Sequence, residues 1–299
     1  MSALLFDNFF SGQARDHLAR AIKDSLDEDG PDLTSNAVFA PDGTLNAVIV
    51  AKQDTLIAGL PIAPLVLEEC ARLEPGSWSL ENHVDEGAFL AAGTRVASIT
   101  GGARIILRAE RVILNFICHL SGIANLVRAH VDALQGTKTR LLDTRKTLPG
   151  LRYPEKYAVL AGGGVNHRKT LAELLMLKDN HIDAAGGITP AVAALRAAYD
   201  PAPPIEVECR TLKEVAEAVL CDVTRIMLDN MDFQSMRQAL DLIPPGIEVE
   251  ISGGVTLETI AELARVNLNR PPDFISVGRL THSAPAADFS MRILGANSL

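Results

Sequence analysis

The chain has 299 residues, with 37 Asp and Glu against 28 Lys and Arg, a formal net charge of −9 and 47% hydrophobic residues. That length holds one large domain or two medium ones, and the acidity argues against nucleic acid or an anionic membrane as partner, since both are bound through positive patches. No apolar run in the sequence reads as a bilayer span of roughly 20 residues, and residues 1–16 show neither the basic-then-apolar pattern nor the cleavage site of a secretory signal.

Over the first hundred residues, segments 45–52, 77–83 and 94–100 look like strands punctuated by Gly43, Gly76, Gly87, Gly93 and Gly101-Gly102, and 62–73 has helical spacing. A small α+β domain is expected over residues 1–110, joined by the C-terminal tail 281–299. From 103 to about 134 the pattern is helical, with Gly122 as an expected break. Strands are then expected at 139–142, 174–178, 205–208, 225–228, 247–251 and 274–277, with helical spacing at 212–220 and 257–264 between them. Pro203-Pro204, Pro244-Pro245 and Pro271-Pro272 each precede one of these strands, as stops between a helix and the next strand. This βα alternation predicts an α/β barrel over 111–280.

The carboxyl ends of the expected strands carry Asp143 to Lys146, Lys178 to His181, Glu208, Asp229-Asn230, Ser252-Gly253-Gly254 and Gly278. Chemistry gathered on one rim is what the barrel rule expects of its C-terminal face, whereas an open doubly wound sheet gathers its site at a switch point. Within 141–181, Arg145, Lys146, His167, Arg168 and Lys178 concentrate positive charge in an acidic protein. Arginine forks pair bidentately with carboxylate or phosphate, so this segment is an anion pocket. Gly162, Gly163 and Gly164 are expected to allow a close backbone approach to a phosphate or dihedrals closed to other residues. Taken alone, His167 and Lys178 also fit bland roles, a satisfied core histidine and a snorkelling lysine. Cys70, Cys118, Cys209 and Cys221 show no metal or disulfide spacing and read as reduced thiols of a cytoplasmic protein. Alternation turns Cys209 away from Glu208.

Longer strings make the reading specific. Glu110-Arg111, Leu120-Ser121-Gly122-Ile123-Ala124, Asp143 to Leu151, Glu155-Lys156-Tyr157-Ala158-Val159, Asn166-His167-Arg168, Lys178-Asp179-Asn180-His181, Glu206-Val207-Glu208, Leu228-Asp229-Asn230, Ser252-Gly253-Gly254 and Thr281-His282-Ser283 together give a chain that closely resembles the quinolinate phosphoribosyltransferase family over nearly its full length. The resemblance implies an incomplete, about six-stranded α/β barrel with an N-terminal α+β open-sandwich domain. It also implies a pentosyl transfer: quinolinate and phosphoribosyl pyrophosphate give nicotinate mononucleotide, carbon dioxide and pyrophosphate, with Mg2+, in NAD biosynthesis. By matched motif, the resemblance assigns quinolinate binding to Thr144, Arg145, His167 and Arg168, with Arg111 from an adjoining subunit of a homodimer or dimer-based hexamer. Lys146, Lys178, Glu208 and Asp229 take catalytic roles, the two carboxylates also holding magnesium through substrate or water. Ser252, Gly253, Gly254 and Gly278 take the 5′-phosphate. Thr170, Tyr153-Pro154 and Arg279 depart from the family's pattern. The alternative enzyme is a related transferase of the molybdenum-operon type acting on another acid or base. A carrier-like protein is the alternative from another class, suggested by the lipoyl-like rhythm of residues 85–94 but without a lysine at a hairpin tip.

Overall fold

The computed structural model describes residues 2–294; residue 1 and residues 295–299, part of the expected N-terminal domain and tail, lie outside the described residues. The chain opens with helices α1 (Ser2–Phe9), α2 (Gln13–Asp29) and α3 (Leu33–Val38). Helix α2 buries Ala14, Leu18, Ile22 and Leu26, a stripe at four-residue spacing that makes one face apolar. Helix α3 is capped by Asp32, whose carboxylate accepts from the Ser35 N–H at 2.9 Å. Strands β1 (Thr44–Ala51) and β2 (Thr55–Leu56), a 3-10 turn at Leu60–Ile62, helix α4 (Ala63–Ala71), and strands β3 (Trp78–Asn82), β4 (Phe89–Leu90) and β5 (Arg95–Gly102) follow. β5 pairs antiparallel with both β1 and β3, Ile99 facing Ala47 on one side and Leu80 on the other.

Helix α5 (Ala103–Ala133) runs without interruption through Gly122, so the expected break is corrected. A Cβ at Gly122 would stand 2.1 Å from the Pro285 carbonyl oxygen and 3.0 Å from Ala286 Cα. The glycine therefore serves close packing of a later segment on the helix. By length and hydropathy alone, α5 could cross a membrane. Ile105, Ile106, Ile113, Ile117, Leu120 and Ile123 are nonetheless fully buried, which makes it a core helix of this fold.

The second half alternates strand and helix: β6 (Arg140–Leu142), α6 (Arg152–Ala161), β7 (Leu175–Leu177), α7 (Asp179–Ala185), α8 (Ile188–Ala198), β8 (Ile205–Cys209), α9 (Leu212–Leu220), β9 (Arg225–Asp229), α10 (Phe233–Leu242), β10 (Glu248–Ser252), α11 (Ile260–Leu263), β11 (Phe274–Ser276) and α12 (Arg279–His282). The proline pairs stand directly before or within three residues of β8, β10 and β11, where they stop one element ahead of the next. Six strands pair in parallel in the order β6-β11-β10-β9-β8-β7. Successive strands β7 to β11 are neighbours and β6 returns beside β11, the winding of a barrel left open between β6 and β7. Strand β12 (Phe289–Leu294) then pairs antiparallel with β1, completing a four-stranded sheet β12-β1-β5-β3.

Tertiary contacts divide the described chain into two compact units, 2–127 with 147–163 and 281–294, and 128–146 with 164–280. The first therefore includes α6, from a stretch that the sequence reading placed within 111–280. All six parallel strands belong to the second.

Candidate active site

In register, Glu206, Arg225 and Glu248 form one row across β8, β9 and β10, and Glu208, Met227 and Glu250 the next. Alternation sends these side chains to the same face of the sheet. The interior of such a barrel is ordinarily filled by branched apolar residues. Here it is charged, and a cavity of about 510 Å³ opens at the carboxyl ends of the strands.

Every site residue expected from the sequence lines this cavity except Arg111 and Gly278. Arg111 is an exposed residue of α5 in the first unit. Gly278 acts from behind: a Cβ there would stand 2.9 Å from Lys146 Cδ, so the glycine makes room for the lysine stem. None of Gly162, Gly163 and Gly164 lines the cavity, so the expected approach to a phosphate is corrected, while the alternative of dihedrals closed to other residues holds at Gly163. A Cβ at Gly162 would be 2.7 Å from the Ala124 carbonyl oxygen on α5, which makes it a packing residue, while Gly163 turns the chain at φ +95°.

Two cationic motifs, 20 residues apart in sequence, meet through one buried carboxylate. Asp143 Oδ1 accepts from the His167 N–H at 2.8 Å and Oδ2 from Asn166 Nδ2 at 2.7 Å. A parallel bridge between Leu142 and Val165 holds the same junction. Thr144 Oγ1 accepts from the Lys146 N–H at 3.0 Å, turning the chain so that Arg145 and Lys146 face the cavity. The Arg145 Nε–H is buried and has no hydrogen-bond partner among the described residues. Arg168 donates to the Leu174 carbonyl at 2.8 Å, and its pKa is lowered by burial and then by the neighbouring Arg145 charge. Two guanidinium groups that repel each other, one with an unpaired donor, form a site that an anion relieves.

Across the cavity, Lys178 Nζ donates to Glu208 Oε2 at 3.1 Å. His181 Nδ1 accepts from the Lys178 N–H, which is a loop-orienting role. Ser252 is followed by Gly253 at φ +92° and Gly254 at φ +61°, conformations that favour glycine. A Cβ at Gly253 would meet Asn230 Oδ1 at 2.2 Å, so that turn is closed to side chains sterically as well. Such a loop of backbone N–H groups at a strand end suits a phosphate. Cys209 is fully buried and burial pushes its thiol pKa up, which leaves it structural.

The sequence reading did not assign Met176, Met227, Asn230, Glu250 and Ser276, which also line the cavity. The two methionines give an apolar wall. Ser276 Oγ is buried without a hydrogen-bond partner among the described residues. The signal for Glu250 lay in the strand pattern, since Glu206, Glu208, Glu248 and Glu250 fall on alternate positions of otherwise apolar strands.

His167 Nε2 stands 3.1 Å from Glu206 and 3.4 Å from Glu250, and Arg225 Nη1 approaches the same two carboxylates at 3.8 and 3.5 Å. Burial would lower the His167 pKa, but the close carboxylates of Glu206 and then Glu250 overcome it and raise the value to about 9. A contrary feature is the Arg168 N–H, which stands 2.7 Å from Nδ1 and favours a neutral ring. One neutral hydrogen bond contributes about 1 kcal/mol, whereas an uncompensated charge in a buried pair costs about 3–5 kcal/mol. Arg225 is already engaged by Glu248 at 2.7 Å, so the two buried carboxylates leave negative charge over. Burial and Glu250 also push the Glu206 carboxyl up, so the cluster holds an extra proton, and imidazole as the stronger base takes it. We therefore assign His167 as charged.

Residues 32–121 match the model of the quinolinate phosphoribosyl transferase N-terminal domain and residues 123–292 that of its C-terminal domain. The chain is 38% identical to the nicotinate-nucleotide pyrophosphorylase (carboxylating) of Mycobacterium leprae, over 93% of this chain and 96% of that one. It is 39% identical to the chloroplastic enzyme of the same name from Arabidopsis thaliana, over 92% and 82%. Among solved structures, NadC from Streptococcus pyogenes superposes with a TM-score of 0.84 at 38% identity, covering 92% of this chain and 96% of that one. The nicotinate-nucleotide pyrophosphorylase from Francisella tularensis superposes with a TM-score of 0.86 at 32% identity, covering 96% and 99%. With both domains matched and relatives this similar along nearly the whole chain, the protein belongs to the quinolinate phosphoribosyltransferase family.

Proposed function

We propose that this chain transfers the phosphoribosyl group of phosphoribosyl pyrophosphate to quinolinate with loss of carbon dioxide, forming nicotinate mononucleotide and pyrophosphate for NAD biosynthesis. The observation that carries the reading is one cavity in which Arg145, His167 and Arg168 stand with Glu208, Asp229 and the Ser252-Gly253-Gly254 turn. Quinolinate is a dianion and its co-substrate carries a phosphate and a pyrophosphate, so the two share a pocket only where positive charge is concentrated. Arg145, Arg168 and His167 take the two ring carboxylates, with Thr144 beside them. The glycine turn and Ser252 take the 5′-phosphate.

Displacement at the anomeric carbon develops positive charge on the ribosyl ring, which the carboxylates of Glu208 and Asp229 stabilise. Lys146 and Lys178 answer the negative charge growing on departing pyrophosphate. Lys178 is held by Glu208, so substrate binding exchanges an internal ion pair for a phosphate contact. Two oxygen donors at neighbouring strand ends fit a magnesium ion that keeps most of its waters and is held in part by substrate phosphates. When bound, it supplies further neutralisation of the leaving group. After transfer, the positive ring nitrogen stabilises the electron pair left on C2 as carbon dioxide departs, a proton from solvent then takes that position, and the protein's part is to position and neutralise.

Arg111 belongs to this reading as a residue supplied by a second copy of the chain in a symmetric assembly. Mixing Arg111→Ala with Lys178→Ala chains, each inactive alone, then restores about one quarter of wild-type activity after full exchange of dimers. No recovery removes Arg111 from a shared site. The four free thiols fit a reducing compartment such as the cytoplasm. The direct test is incubation of purified protein with quinolinate, phosphoribosyl pyrophosphate and magnesium, followed by mass-spectrometric detection of nicotinate mononucleotide; absence of that product contradicts the assignment.

A further inference from the structure

Glu206 and Glu250 are fully buried, and among the described residues none of their four oxygens has a well-aligned hydrogen-bond partner. Carboxylates removed from water without such partners destabilise a fold, so the stability of the barrel does not explain them. Nor does a pair of carboxyl groups suit contact with phosphate. What they face is His167 on one side and Arg225 on the other. Arg225 is itself anchored, donating to Glu248 at 2.7 Å and stacking 4.3 Å from the Phe274 ring centroid, with Arg140 over the same ring at 4.4 Å. Two carboxylates thus sit between a fixed guanidinium and an imidazole that lines the cavity. The ligand atoms of His167, Glu206 and Glu250 all lie within 4.8 Å of one another, a spacing that a divalent cation also fits. The adjacent Arg225 guanidinium, 3.8 and 3.5 Å from the same two carboxylates, argues against that occupant, because it repels a cation placed there.

We propose that Glu206 and Glu250 are positioning residues for the acid substrate, acting through His167 to hold its imidazole fixed and positively charged against the wall of the quinolinate pocket. The proposal rests on the reading of that pocket as the quinolinate site. Charged groups around His167 are Glu206 and Glu250 facing the imidazole, Arg225 and its partner Glu248 behind them, Asp143 on the His167 N–H, and Arg168 adjoining in the chain. The rise of the His167 pKa supports the arrangement without being its basis. Electrostatic complementarity of this kind acts on the binding of the acid and leaves the ribosyl side alone.

The test is a double-mutant cycle with Glu250→Gln, His167→Gln and both together, each checked for folding by thermal unfolding. If Glu250 acts through His167, Glu250→Gln alone raises the quinolinate KM about tenfold or more, leaves kcat and the KM for phosphoribosyl pyrophosphate within about threefold, and has almost no further effect in the His167→Gln background. Equal effects in both backgrounds, or a loss confined to kcat, overturn the proposal. A second measurement needs no turnover and separates failure of this inference from failure of the functional reading: 15N spectra of the ligand-free, chelator-treated protein at pH 7.5. An imidazolium at His167 that becomes neutral in the Glu206→Gln, Glu250→Gln double variant supports the proposal. A neutral His167 in the wild type, or stoichiometric metal retained at this cluster before chelation, overturns it.

Discussion

Glu155 and Glu250 are the same residue type at the same burial, 0% exposed, in different units of the molecule, and they are treated in opposite ways. In the first unit, Glu155 Oε1 accepts from His119 Nε2 at 2.9 Å and Oε2 from the Leu148 N–H at 3.2 Å. Both of its oxygens are used. In the second unit, Glu250 and its neighbour Glu206 have no well-aligned partner among the described residues and stand against ionic groups instead. A buried carboxylate with each oxygen satisfied ties a helix to a loop, which is architecture. One left short of hydrogen bonds inside an active-site barrel holds another group in a charge state, which is function, and the two predict different mutant phenotypes.

The largest effect is expected in the cavity itself. Replacing Arg145 or Arg168 by Ala removes one partner of a desolvated ion pair with substrate, and kcat/KM for quinolinate should fall about 100- to 1,000-fold. Steady-state kinetics check this, and a loss under threefold would remove either arginine from acid recognition. Next comes the contrast between the two glutamates. Glu155→Gln should lower unfolding free energy by about 1–3 kcal/mol through a weakened charged hydrogen bond while leaving the quinolinate KM of the folded enzyme unchanged. Glu250→Gln should differ by weakening acid binding, whatever stability it also loses by leaving His167 and Arg225 against Glu206 alone. Denaturant melts beside kinetics on both variants decide the matter, and matching phenotypes would dissolve the distinction.

The smallest effect is on pH. His167, which burial would lower but the close carboxylates of Glu206 and Glu250 raise to about 9, stays charged well above the ordinary histidine range near 6.5. Its contribution to stability is fully present below about 6.5 and is lost as pH rises through about 9. The quinolinate KM should therefore climb in that upper window, and Glu250→Gln should bring the climb to lower pH. A flat profile through pH 9.5 would mean that the charge on His167 is irrelevant.

Much of this was legible in the residues because short β-branched or apolar runs, three of them preceded by proline pairs, leave a strong local signal. Each of the six parallel strands falls within two residues of its expected ends at either side, and α9 runs over 212–220 as its spacing predicts. Helix α2 was missed although Ala14, Leu18, Ile22 and Leu26 mark its buried stripe, because the charged residues between them dilute the pattern. Gly122 was misread since a close approach by Pro285 and Ala286, 163 and 164 positions later, is not a local property. Arginine, lysine and strand-end carboxylates announced the site. Asp143 as the clamp between two motifs, and the Glu206–Glu250 pair behind His167, depend on register between strands, which one sequence carries only in its alternation.

The central claim is that this barrel interior is charged so as to recognise two carboxylates on one ring. The most direct measurement is kcat/KM for quinolinate beside that for nicotinate, which lacks one carboxylate, under identical phosphoribosyl pyrophosphate and magnesium. Leaving a buried cation unpaired costs several kcal/mol, so quinolinate should be preferred by about 100-fold or more. Comparable values for the two acids would contradict the account.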